Sequence, residues 1–369
     1  MIINLKNPLI KFLVFIVILI FLFVFQKSNF STVEETTTIF LSSILPSLFP
    51  FILFTNMLLN LNGLSFLKQI LKDKYYVVFC IITGFLCGYP MGARTVASFL
   101  KDKKISYTQA KILLSFVNNC NPIFILSTLG ISILKNMNHA IILLISHYLS
   151  AIIICLFYFS HNIIHKTNKN SNIFKINETK ILHNSIFDSL NISIKSTFLT
   201  LGNIFAYTTL FSLLYSCLKE LLKHSHISPI FIKLLSPLFE TTGGIKEIVL
   251  NSSYNINLTL CIISFALGFS GLSIIFQIYA CIYKEGFSIM YIIKNKILHG
   301  IISSSITYLI LKILNIKSKM IIDYDYLLEN FKIIKITQYS YFVLCVCMLY
   351  FLVYSFNTTN KVLKKVSNN

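Results

Sequence analysis

Charge is scarce in this chain: Asp, Glu, Lys and Arg make up 12% of its 369 residues, whereas 55% are hydrophobic. Together with a mean hydropathy of +0.75 and several apolar runs of about 18 residues or more, that scarcity excludes an ordinary soluble domain and leaves a polytopic membrane protein. Acidic residues are the rarest charges, 13 against 32 Lys and Arg, for a net charge of +19. A nucleic-acid binder would gather its cations on one soluble face. Here they sit in loops between apolar spans, as the positive-inside rule requires, so nucleic acid is excluded as a partner. The sequence has no C-x-x-C pair and no zinc-ligand spacing among its nine cysteines, which lie in apolar runs and read as small buried hydrophobes. His161 and His165 share a helix face but have no Cys or carboxylate beside them, so no metal and no cofactor is expected. The absence of H-E-x-x-H, G-x-S-x-G and P-loop motifs, and of an Asp pair inside the spans, argues against an enzyme. The first apolar run also lacks a cleavage site, since Gln26-Lys27-Ser28 is no small-residue terminus, and it reads as a retained signal anchor.

Full apolar spans are expected near 8 to 25, 38 to 59, 115 to 134, 139 to 159, 197 to 218, 258 to 282, 297 to 316 and 340 to 356. Two further segments, 75 to 100 and 229 to 250, are apolar but interrupted at Gly88 to Gly92 and at Glu240-Thr241-Thr242-Gly243-Gly244. If both are re-entrant hairpins, most Lys and Arg, including Lys101 to Lys104 and Lys284, Lys294 and Lys296, fall on one side, cytoplasmic with both termini. The fold class that follows is all-α, an inverted repeat with two re-entrant hairpins and two broken helices. Its parts are a signal-anchor helix and loop (1–37), a first repeat (38–159), a basic cytoplasmic linker (160–196), a second repeat (197–316), and a loop with a C-terminal transmembrane helix (317–369). The setting is a cell membrane, so the lipid bilayer is the first partner, and a homo-oligomer is compatible with such a chain.

Backbone polar groups released by Gly or Pro find no water in hydrocarbon, so the breaks mark candidate sites. In the first hairpin, Gly88, Tyr89, Pro90 and Gly92 make the turn. A helix starting near Met91 aims its positive dipole end at a cavity, and Arg94 either strengthens an anion site there or reaches the cytoplasmic interface. The next span carries Asn118, Asn119 and Asn121 before Pro122, three amides that either line a cavity or bond between helices. The second hairpin offers Glu240, Thr241, Thr242 and Gly243, and the following span Ser270, Gly271, Ser273 and Gln277. Glu240 is the candidate for coupling to an ion or proton, because a carboxylate at mid-membrane is costly unless paired. The alternative is an interfacial Glu240 beside Lys246.

These segments resemble the sporulation integral membrane proteins of the YlbJ type, within the nucleoside-recognition or Gate-domain group. The likeness lies in Ile44 to Phe51, Gly88 to Arg94, Asn118 to Pro122, Glu240 to Gly244 and Gly268 to Ser273. The resemblance implies a multi-pass protein of spore formers needed for the spore cortex, with a core similar to concentrative nucleoside transporters and partners among cortex-assembly proteins. It brings no substrate and no catalytic residues. The expected role is binding or transport of an unidentified small polar solute. A scaffold for cortex enzymes working through the basic linker, or a lipid-linked precursor flippase, is the alternative.

Overall fold

The computed structural model describes residues 8–60, 71, 74–165, 185–223, 227–250 and 255–314. The expected C-terminal helix near 340 to 356 and the central part of the basic linker lie outside these residues. Among the described residues there is no strand, and five helices are long and apolar enough to cross a membrane.

Helix α1 (Pro8–Val24) is followed at once by α2 (Gln26–Ile39), which continues through a π-helical stretch, Phe40–Ile44, into α3 (Leu45–Asn60). Residues 26–37, expected as part of a loop, are therefore the first turns of a 35-residue helix. The widened turn has a local cause: Pro46 brings no N–H and clashes with the carbonyl one turn back, and the Leu45 N–H bonds to Phe40 O instead.

The first interrupted segment is a hairpin of α4 (Tyr75–Leu86) and α5 (Met91–Lys101). Legs of 12 and 11 residues reach roughly 18 and 16 Å, about half of a ~30 Å hydrocarbon core. Gly88 turns the corner with φ +78°. Helix α6 (Tyr107–Phe116), opened by a capping box between Ser106 and Gln109, stops at Val117; the chain runs without helix to Asn121 and resumes as a π-helix, Phe124–Ile133. The expected span 115 to 134 is thus a true break.

Helix α7 (Met137–His165) leads to the linker, and α8 (Ile186–Leu222) returns. Residues 186–196, expected as linker, are helical because Ser185 caps α8 by accepting the Asp188 N–H. The second interrupted segment is again a hairpin, α9 (Pro229–Phe239) and α10 (Thr241–Leu250), with legs of 11 and 10 residues. Then come α11 (Ile256–Phe269), a left-handed Ser270, α12 (Gly271–Ile282) and α13 (Ile289–Ile313).

With lipid as apolar as leucine, small and hydroxylated residues hold such helices together. Helices α11 and α13 touch at Gly268 and Gly300, where a Cβ on Gly268 would lie 2.6 Å from the Gly300 Cα. Beside that crossing, Ser264 bonds Ser303 (2.8 Å) and Thr307 bonds Ser264 (2.8 Å). Helices α3 and α8 are joined by Asn56 donating to Thr197 (3.1 Å) and Asn60 donating to Ser193 (2.9 Å).

Candidate functional site

Each hairpin tip rests on a helix break. In the first half, the Tyr89 N–H donates to Asn119 O (2.8 Å) and the Asn121 Nδ2 donates to Leu86 O (3.0 Å). The other end of the Asn121 amide caps the π-helix, its Oδ1 accepting from the N–H of Ile123 (2.8 Å) and Phe124 (3.3 Å). The Tyr148 hydroxyl lies 2.7 Å from Phe85 O and 2.8 Å from Cys120 O, sharing its one proton between hairpin and break. Backbone approach is close enough to need glycine: a Cβ on Gly84 would lie 2.1 Å from Val117 O, and one on Gly88 2.9 Å from Asn121 N.

In the second half, Glu240 is the extended residue between α9 and α10, and its buried carboxylate folds onto the N-terminus of α10. Oε1 accepts the Thr242 N–H (2.9 Å) and Oε2 the Gly243 N–H (2.6 Å). A carboxylate there is favoured by the helix dipole, and no cation lies within salt-bridge distance of it among the described residues. The second break meets this tip at Gly271 (φ +65°), where a Cβ would lie 2.9 Å from Thr241 Oγ1.

The two tips share a cavity of about 40 Å³. From the first half Tyr89, Cys120 and Asn121 line it; from the second half Glu240, Thr242 and Gln277. That volume holds two or three waters. The cavity brings together five expected site residues: Tyr89, Asn121, Glu240, Thr242 and Gln277. The others do not line it. Gly88, Pro90, Gly92, Gly243 and Gly271 shape the tips and breaks, and Ser270 bonds back to Leu267 O (3.1 Å). Arg94 does not line the cavity, and its guanidinium donates to Thr200 and to Ser196 (2.5 Å) on α8.

Several of these polar groups are buried without a hydrogen-bond partner: Oδ1 of Asn118 and Asn119, Oγ1 of Thr241, Oγ of Ser273 and Nε2 of Gln277. Native interiors rarely tolerate this, at about 1–3 kcal/mol for each group, unless water or a ligand completes it.

Behind the first break lies a group that the charge census misplaced. Lys296, counted as a loop cation, sits in α13 with 3% exposure. Its Nζ donates to Asn118 O (2.6 Å) and stands 5.7 Å from the centre of the Tyr89 ring, with no carboxylate in salt-bridge distance among the described residues. His147 accepts the Cys120 N–H on Nε2 (2.9 Å), which leaves the proton on an unpartnered Nδ1, and the Nε2 of His299 faces His147 O at 3.0 Å. The signal for Lys296 was present as a polar stripe, Lys296, His299, Ser303 and Thr307, at helical spacing on one face of an apolar helix.

Fold and site define a class: a multi-pass, all-helical membrane protein in which two half-length hairpins lean on two helix breaks around a small cavity whose walls are mostly apolar, Ile44, Leu48, Phe124, Ile204 and Ile274, with a few polar groups among them. The chain is similar to the sporulation integral membrane protein YlbJ of Bacillus subtilis, 24% identical over 287 residues that cover 68% of this chain and 70% of that protein. This bears out the YlbJ-type resemblance. No family model and no solved structure matches the chain.

Proposed function

We propose that this is a sporulation membrane protein acting in spore cortex formation, and that its core binds and carries a small polar solute between the two hairpin tips. The halves would be related as an inverted repeat, with the hairpins entering the bilayer from opposite faces, as in concentrative nucleoside transporter cores. The observation that carries the reading is the shared cavity, with Asn121 on one wall, Glu240 and Gln277 on the other, and the Gln277 donor unpartnered. Because the cavity has room for only about two or three waters, one half must rock against the other to admit a solute. The half-length hairpins suit that motion, since each can shift with its own break.

The test is a thermal-shift panel of purified protein against nucleosides, sugars, amino acids and cell-wall precursors. A solute that stabilises the protein is expected, with the ligand-induced shift lost in Gln277→Ala. Stabilisation that survives Gln277→Ala refutes the site, and a panel without a single hit refutes the reading. Asn121→Ala is the poorer probe, because Asn121 also holds the break.

A further inference from the structure

Helix α8 turns a hydroxyl-rich face inward along most of its length. Seven of its ten buried residues carry a hydroxyl, at helical spacing, so that they form one stripe. Towards the end that leads to the second hairpin, the stripe is open. Thr208, Ser212, Tyr215 and Ser216 line a cavity of about 380 Å³ between α2, α8, α9 and α10, which meets the cavity at the tips through Ile44, Thr208 and Glu240. Its mouth reaches the surface, where the side chains of Glu35 and Lys219 are 58% and 46% exposed.

Towards the linker end the same stripe is closed over. Ser189, Ser193 and Thr197 are wholly buried, and four hydrogen bonds tie this part of α8 to the first half. Arg94 of α5 donates to Thr200 and to Ser196 (2.5 Å), Asn56 of α3 to Thr197 (3.1 Å), and Asn60 of α3 to Ser193 (2.9 Å). Every donor lies on the first half and every acceptor on α8, so movement of one half against the other breaks the four together. These bonds part readily: the acceptors are neutral hydroxyls, which water can replace, and Arg94 has no carboxylate within salt-bridge distance among the described residues. A guanidinium–carboxylate fork would hold the seam far more tightly. The Ser189 Oγ, at the end of the seam away from the tips, is buried without a hydrogen-bond partner. It gains one only when this end opens to water or solute.

We infer that the hydroxyl face of α8 is the route of the solute through the protein, that the structure is the state open at the hairpin end, and that Arg94, Asn56 and Asn60 form the gate that closes the linker end. When the halves rock, the four bonds part, the linker end of the stripe opens and the large cavity closes. The inference rests on the proposed carrier role and adds to it the route and the residues that shut it.

The experiment is thiol labelling of the full chain in detergent with a water-soluble maleimide, read site by site by peptide mass spectrometry so that the native cysteines stay in place. Ser189→Cys reports on the linker end, where its hydroxyl has no bond to lose, and Ser212→Cys on the large cavity. In the parent, Ser212→Cys should label far faster than Ser189→Cys. Arg94→Gln should speed Ser189→Cys roughly tenfold, as expected for losing two hydrogen bonds within the membrane. Adding Asn60→Ala should speed it further and slow Ser212→Cys by about half, because population that leaves one state enters the other. A seam that merely loosens would leave Ser212→Cys unchanged or faster, and that result overturns the inference, as does an unaltered Ser189→Cys. A second measurement needs no gate variant and decides if the combination does not fold. In the Ser189→Cys, Ser212→Cys chain, a bulky maleimide on residue 212 props the hairpin end open and should slow the labelling of residue 189 severalfold; an unchanged rate refutes the coupling of the two ends. A solute hit that needs Gln277 without reciprocal labelling keeps the binding cavity and removes the gate. Reciprocal labelling without any hit does the converse.

Discussion

Gly84→Ala tests whether hairpin and break are packed backbone to backbone. The added Cβ would lie 2.1 Å from Val117 O, 2.7 Å from Val117 Cβ and 2.9 Å from Val117 C. None of these atoms is the end of a flexible side chain. Relief therefore requires the break to move away from α4 by about an ångström, which also stretches the bonds from Tyr89 to Asn119 and from Asn121 to Leu86. Overpacking of this kind costs about 1–3 kcal/mol, and the upper end is expected here because backbone is the obstacle. Gly202→Ala is the control: it lies in α8, exposed, with nothing within 4 Å of the added Cβ. Losing a helical glycine there should stabilise by about 0.5–1 kcal/mol. The two variants make the same chemical change with opposite sign, so their separation of about 2–4 kcal/mol is independent of the detergent baseline. Reversible unfolding of the purified protein in SDS–detergent mixtures measures it. Equal stability of Gly84→Ala and Gly202→Ala would show that α4 and Val117 do not meet at backbone contact.

Tyr148→Phe should cost about 1–3 kcal/mol in the same assay, because the buried carbonyls of Phe85 and Cys120 lose their shared donor; a loss below about 0.5 kcal/mol would show that the hydroxyl does not pin the hairpin. Asn121→Ala should lose about 1–3 kcal/mol with the helix cap and the bond to Leu86, whereas Gln277→Leu, which keeps the buried volume and removes an amide nitrogen without a partner, should lose less than about 1 kcal/mol. The reverse order, read from melting points, would exchange their roles. Lys296→Met should fold with stability within about 1 kcal/mol of the parent, since a side chain of similar volume replaces a buried amine without a counter-charge. Lys296→Ala, which leaves a cavity, should fall about 2–4 kcal/mol below it, and near-equality of the two would place the Lys296 stem outside the packed interior.

What could be read from the sequence was whatever depends on where backbone hydrogen bonds fail. Gly88, Pro90, the Asn118 to Asn121 run and Ser270 read as breaks in apolar segments, and each is a break in the structure; of the Glu240 to Gly244 run only Glu240 interrupts the helix, since Thr241 to Gly244 open α10. Features that depend on long-range packing were not legible. The polar residues 26–37 read as a loop, yet Asn29, Ser28 and Glu35 find partners in Leu22, Ser216 and Lys246, so the helix extends beyond its apolar part. Lys296 read as a loop cation because a charge census weighs residues by type alone, and only the neighbouring His299, Ser303 and Thr307 show that its face turns inward. The partners of Arg94 were not legible either: Ser196 and Thr200 lie about a hundred residues away, on a helix whose rotation the local sequence does not fix.

The polar residues at the tips divide by whether their hydrogen bonds are spent, and that division, more than proximity, separates scaffold from site. Asn121 uses both ends of its amide on the backbone, Tyr148 its only proton, and Ser270 its hydroxyl, so none has a group left for a ligand without first giving up structure. Gln277, Ser273 and Thr241 keep a buried polar atom unpaired, and Glu240, though both its oxygens accept N–H groups, keeps an unbalanced charge. All four lie in the second hairpin and the helices of the second break; the first break also keeps the Oδ1 atoms of Asn118 and Asn119 unpaired, but neither residue lines the shared cavity, whereas Glu240 and Gln277 do. The first half therefore supplies a wall held rigid by its own bonds, and the second half supplies the groups whose free energy improves when something enters. An entering ligand lowers the cost of the second half alone. It follows that ligand should slow amide hydrogen exchange around 240–243 and 270–277 and leave 118–124 unchanged; protection spread equally over both breaks would contradict the asymmetry.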